Sequence, residues 1–175
     1  MRLVPAIAAA MLTAGCANQT GDENAAPIQA DETVTGVAHV VGTDVETWVQ
    51  VRTDAAEALR VVGDMESEIG SLQGARVRIV GARVDDAGIG QAFHVVDYEL
   101  LEIGGEVPIV GTLLRVESDF WLAEPDSVGG ERLRLIGVSQ AIGEATGGKI
   151  WVVGLRGSSE IRVQSYGVIR TPPGS

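Results

Sequence analysis

The sequence predicts a mainly β protein made of two copies of one small five-stranded unit. Three observations predict it: short apolar runs that alternate in twos, a high glycine content, and self-similarity at a nearly constant offset. Glycine accounts for 23 of 175 residues, about twice the ~7% of an average chain, and glycine-rich sequence broken by short Val-rich runs reads as turns and strands. A hydrophobic share of 45% with 21% charged residues is that of a folded globular protein.

The repeat is read directly from residue pairs. Thr47-Trp48-Val49 corresponds to Phe120-Trp121-Leu122 at an offset of 73, and Leu59-Arg60-Val61-Val62-Gly63 to Leu133-Arg134-Leu135-Ile136-Gly137 at 74. Ile69-Gly70 matches Ile142-Gly143, and residues 74–81 match 147–154, both at 73. The last segments, 93–101 and 161–169, align at 68 with Tyr98 over Tyr166, because one loop is shortened. The folded part therefore divides into residues 33–104 and 105–171, with a short tail at 172–175.

Each unit reads strand, strand, strand, short helix, strand, strand. Thr47-Trp48-Val49-Gln50-Val51-Arg52 and Arg76-Val77-Arg78-Ile79 alternate as half-buried strands do. Between the third and fourth strands, Met65, Ile69 and Leu72 fall at helical spacing, and Gly74 is a helix stop. In the second copy Ile142 keeps the key apolar position, while Gly143 and Thr146 weaken the helix. Five strands with a short helix between the third and fourth, in about 70 residues, resembles the OB-fold, a small Greek-key barrel. The resemblance implies two tandem OB-like barrels covering residues 33–171. A single lipocalin-like barrel is the rival, but it has no need of two helix-containing copies.

Residues 1–15 read as a secretory signal peptide: Met1-Arg2 starts it, an apolar stretch follows from Leu3 to Leu12, and small residues close it. The segment Leu12-Thr13-Ala14-Gly15-Cys16 resembles the lipobox of bacterial lipoproteins, with Thr13 where Leu is usual. The resemblance implies cleavage before Cys16, lipid on its thiol and acylation of the new amino group. The alternative is an ordinary signal peptide cut after Ala14 or Ala17. Several acyl chains anchor stably where one binds only marginally. Ala17 after the Cys, rather than Asp, implies the outer membrane in a Gram-negative cell. Residues 16–32 then form the acylated Cys and a polar, acidic tether, its sixteen residues beyond the Cys reaching at most roughly 55 Å. Loss of Arg2 with the leader leaves 12 basic against 24 acidic residues, a net charge of −12.

Composition excludes much chemistry. A single Cys forms no internal disulfide or Cys-cluster metal site. Two histidines, His39 and His94, fall on the first and fifth strands, which are not neighbours in an OB barrel, and neither recurs in the second copy. Residues 143–149 fit the first seven positions of a P-loop, but Ile150 stands where magnesium needs Ser or Thr, and a strand follows instead of a helix. No Ser or Cys has a base and an acid to work with, so the expectation is a protein without catalytic residues or a cofactor beyond the lipid on Cys16. The acidic balance and 4% aromatics oppose nucleic-acid binding, which needs a basic groove with stacking platforms. Arg76, Arg78 and Arg83 read as a solvated strand face.

Two binding surfaces remain. In OB folds the loop after strand one and the loop between strands four and five flank the ligand cleft. In the first copy these carry Asp44, Asp85 and Asp86, carboxylates suited to a hard cation or a cationic ligand. The other surface is aromatic. Strict alternation puts Trp48, Trp121 and Trp151 on outer barrel faces, with Trp121 and Trp151 framing Leu113 and Arg115 as a patch for a protein partner. The alternative is that the other barrel or a loop covers this face. The expected function is a membrane-anchored envelope module for binding or scaffolding, with cation or small-ligand binding as the second reading.

Overall fold

The computed structural model describes residues 30, 32–43, 45–86, 88–125 and 132–172. Cys16, the leader, the tether up to Gln29 and Asp44 lie outside the described residues. The first five strands are β1 (Glu32–Gly42), β2 (Thr47–Thr53), β3 (Ala58–Val62), β4 (Arg76–Asp86) and β5 (Gly90–Glu102), with helix α1 (Glu66–Gly70) between β3 and β4. They close into a barrel in the order β1-β2-β3-β5-β4. The second set is β6 (Ile109–Val116), β7 (Asp119–Ala123), β8 (Arg132–Ile136), β9 (Lys149–Arg156) and β10 (Glu160–Arg170), with a 3-10 helix, Gln140–Ala145, before β9. It closes in the same cyclic order, β6-β7-β8-β10-β9. In each barrel one pairing is parallel, β3 with β5 and β8 with β10, and the others are antiparallel.

Alternation along the strands fills each interior. Val49 and Val51 of β2 are buried, as are Leu59 and Val61 of β3 and Val77 and Ile79 of β4. Phe93 is the largest fully buried side chain among the described residues. The second interior is built the same way from Leu113, Phe120, Leu122, Leu133, Leu135, Ile150, Val152 and Ile161. Each such side chain contributes about 1.5–3 kcal/mol by leaving water. Two glycines recur at one place in the two barrels. A Cβ on Gly81 would sit 2.0 Å from the carbonyl oxygen of His94, and one on Gly154 would sit 2.1 Å from that of Arg162. There β4 and β9 press against β5 and β10, beside register shifts at Val80/Gly81 and Val163/Ser165. A bulge next to a glycine bends a strand enough to close a small barrel.

The two helical segments close one end of their barrels. Ile69 and Leu72 are fully buried beneath the first, and Ile142 and Ala145 are buried beneath the second. The chain after each is fastened to the first strand of its own barrel. Gly74 N–H donates to the Ala38 carbonyl at 2.8 Å, and Gly147 N–H to that of Leu113 at 2.8 Å. The weaker second segment winds as a 3-10 helix, capped by the Ser139 hydroxyl, which accepts from Ala141 N–H at 3.1 Å.

The barrels meet through an apolar contact and a polar one. Ile169 of β10 is only 5% exposed and belongs to the core cluster of the first barrel, against which Val110 and Trp151 of the second also pack. The short connection carries a bridge between Ile103 and Glu106. The polar contact defines the candidate site.

Candidate functional site

Glu68 is the one charged residue buried among the described residues, at 6% exposure. It sits on α1, beside the fully buried Ile69, and faces the junction rather than solvent. Its Oε2 accepts from the Tyr98 hydroxyl at 2.5 Å and from Lys149 Nζ at 2.9 Å. Its Oε1 lies 3.0 Å from Arg170 Nη1. Tyr98 comes from β5, Lys149 from the start of β9 and Arg170 from the end of β10, so one carboxylate of the first barrel gathers two cations of the second. Lys149 Nζ also lies 2.9 Å from the Tyr98 hydroxyl and 4.4 Å from its ring centroid, close enough for a cation–π contact.

The electrostatics follow from this geometry. Burial alone raises the Glu68 pKa, but the Tyr98 hydroxyl and the Lys149 and Arg170 charges outweigh it and hold the carboxyl below its ordinary value. Burial, and then the bond to Glu68, push the Tyr98 phenol well above its usual range. Tyr98 therefore keeps its proton and serves as a donor, not as a base or nucleophile. Next to the cluster opens a cleft of about 750 Å³, walled by Asp97, Glu99 and Leu100 of β5 on one side and by Val110, Glu124 and Arg156 of the second barrel on the other. Glu99 is paired with Arg78 at 2.5 Å and Arg156 with Glu124 at 3.0 Å.

The tryptophans are separated. Each is half-buried while its neighbours Val49, Phe120 and Leu122, or Ile150 and Val152, are buried in a core. Trp48 stands under the Arg60 guanidinium, 5.3 Å from its ring centroid, beside a shallow hollow lined by Val40, Gly63, Asp64 and Glu66. Trp121 is opposite Leu114 and Trp151 opposite Val110 on β6. Their partners are four residues apart, roughly 13 Å along β6, and β7 and β9 flank β6 on opposite sides. Trp151 packs against the core cluster of the first barrel.

Leu113 requires a correction. It is fully buried in the second core, opposite Leu122, and forms no part of an outer patch. Trp121 faces outward, so its cross-strand partner Leu114 does too, and Leu113, one residue away, turns in. Arg115 is exposed, with its guanidinium 5.7 Å from the Phe120 ring centroid and its Nε donating to the Glu117 carbonyl at 3.3 Å. Trp121, Trp151, Leu113 and Arg115 therefore do not form one surface.

Asp85 and Asp86 are exposed at the end of β4, and Asp86 Oδ1 accepts from Gly88 N–H at 2.8 Å. Among the described residues no three His, Cys, Asp or Glu side chains are grouped to hold a metal ion. The arginines of β4 are engaged with acids: Arg76 with Asp54 at 2.6 Å, and Arg83 with Glu32 at 3.0 Å and Glu57 at 2.6 Å. No helix among the described residues is long and apolar enough to cross a membrane.

Sequence reasoning missed the Glu68 cluster, though the repeat carried a signal. Glu68 aligns with Ala141 and Lys149 with Arg76. The cluster thus uses positions where the two copies differ, and Lys149 is the single lysine of the chain. No protein-family model matches this chain, and no curated protein matches it.

Proposed function

We propose that the protein is an envelope lipoprotein, anchored through lipid on Cys16 and carried on the tether of residues 17–32. It acts as a non-catalytic binding or scaffolding module through two tandem OB-like barrels. The strand order β1-β2-β3-β5-β4, repeated as β6-β7-β8-β10-β9, supports the OB-like reading, as does a helical segment before the fourth strand of each barrel. The observation that carries the function is the joining of a lipobox, Leu12 to Cys16, to two closed five-stranded barrels. The anchor places the module at the periplasmic face of the outer membrane in a Gram-negative cell, where its partner is an envelope protein. Trp48 and Trp121, half-buried on separate barrels, are the residues through which it binds.

Growth of a bacterial host with labelled palmitate tests the anchor. Label on the wild-type protein and recovery with membranes are expected, with both lost in Cys16→Ser; membrane retention unchanged by that substitution overturns the proposal. Cross-linking in intact cells tests the module, with partner capture reduced in Trp48→Ala or Trp121→Ala.

A further inference from the structure

Lys149 and Arg170 are directly opposite one another across the β9–β10 pairing. Like charges so placed repel and destabilise a sheet. What offsets the repulsion comes from the other barrel: Glu68 offers Oε2 to Lys149 at 2.9 Å and Oε1 to Arg170 at 3.0 Å. The three charges differ in their access to water. The Glu68 side chain is 7% exposed, against 31% for Lys149 and 64% for Arg170. The carboxylate is the buried member of the three, and both cations keep a route to solvent.

We propose that Glu68 is a charge-operated latch between the barrels. Ionised, it neutralises the Lys149–Arg170 pair and holds the second barrel against α1, fixing the walls of the junctional cleft. Protonated, it leaves two facing cations uncompensated beside Tyr98, and the junction opens while each barrel stays folded.

The groups around Glu68 support this assignment. From β5 it meets Tyr98, whose neighbour Asp97 points its carboxylate back to the Tyr98 N–H at 2.8 Å. From β9 and β10 it meets Lys149 and Arg170. On the far side of α1, β2 and β1 present Val49 and Val40 to Gly70. Among the described residues no second carboxylate pairs with Lys149 or Arg170, so one protonation switches the cluster. The sign is fixed by the cluster itself. Glu68 titrates below the ordinary carboxylate value in the closed state, so the latch is complete above that value and is lost as pH falls through the lowered one.

Trp151 reports the junction, because it packs where the barrels meet. In the full chain carrying Trp48→Phe and Trp121→Phe, acrylamide quenching of Trp151 is followed from pH 7 to pH 3, with far-UV circular dichroism at each step. Quenching is expected to rise several-fold in acid before any loss of β signal. Glu68→Gln is expected to show the raised quenching already at pH 7 and little change on acidification. Lys149→Met serves as a second variant: it removes one of the facing cations and is expected to flatten the acid response, while Lys149→Arg preserves it. Two results overturn the latch. One is Trp151 quenching at pH 7 that is the same in wild type and Glu68→Gln. The other is an acid transition in which shielding and β signal are lost together.

Discussion

Gly167 of β10 lies against the indole of Trp151 on β9, so closely that a Cβ there would come within 2.5 Å of Nε1. The two are cross-strand partners, and an aromatic ring laid over a strand glycine covers the backbone that the missing side chain would expose. The ring is thereby held at the junction, where it packs against the core cluster containing Ile169. Gly167→Ala is expected to displace the ring and destabilise the protein by about 1–3 kcal/mol, as overpacking does. Urea denaturation followed by circular dichroism measures the loss. An unchanged midpoint would mean that the indole does not need this seat.

Leu113 is a core residue, and its substitution should behave as one. Leu113→Ala removes a fully buried side chain from the second core, opposite Leu122, at an expected cost of about 2–5 kcal/mol. Arg115→Ala, two residues on and exposed, is expected to change stability by no more than about 0.5 kcal/mol. Chemical denaturation of the two variants side by side distinguishes a core position from a surface one. Similar small losses at both would put Leu113 back on an outer face.

Much of the strand pattern was legible because period two is a local property. Val49 and Val51 alternate with Trp48 and Gln50, and the same alternation sorts Phe120 and Leu122 from Trp121. Leu113 was misplaced because Val110-Gly111-Thr112-Leu113-Leu114 has apolar residues in both phases, and only the pairing with β7 decides which phase turns inward. The Glu68 cluster was not legible at all. Its members are scattered from residue 68 to residue 170, and what unites them is how one barrel sits on the other. Burial of a glutamate contradicts its hydropathy, and that cost is met by the Tyr98 hydroxyl from β5 and by cations more than 80 residues away on the second barrel, as with Lys149. Sequence periodicity carries no record of such a contact.

Tyr98 gives the cluster its hydroxyl, which donates to Glu68 and accepts from Lys149, and Tyr98→Phe removes that group while keeping the ring. A hydrogen bond to a charged group contributes about 1.5–3 kcal/mol, and a loss of that order is expected in thermal or urea unfolding near neutral pH. The substitution also takes away one cause of the lowered Glu68 pKa. A carboxyl whose folded pKa is depressed stabilises the protein above its unfolded value, and that contribution disappears as pH falls through the folded value. With Tyr98→Phe the fall should therefore be smaller and be complete at a higher pH than in wild type. Stability measured at several pH values between 7 and 3 checks both effects, and parallel curves would exclude Tyr98 from the charge balance of Glu68.

The two halves should fold apart, but not equally well. Each barrel has its own closed ring of strands and its own core, so residues 33–104 and 105–171 are each expected to unfold cooperatively with a β-rich spectrum. Separation, however, exposes Ile169, Val110 and Trp151 on the second half and strips it of the carboxylate that lies between Lys149 and Arg170. The first half keeps its ring and merely gains a hydrated Glu68. The second half should therefore melt well below the full chain, and the first half closer to it. Mixing the halves should raise the melting temperature of the second in a concentration-dependent way, because anything that binds the folded form stabilises it by mass action. Calorimetry of each half, of the mixture and of the full chain tests this. A second half as stable alone as in the full chain would leave the junction with no energetic role. Halves that both fail to fold would make the two barrels one inseparable unit.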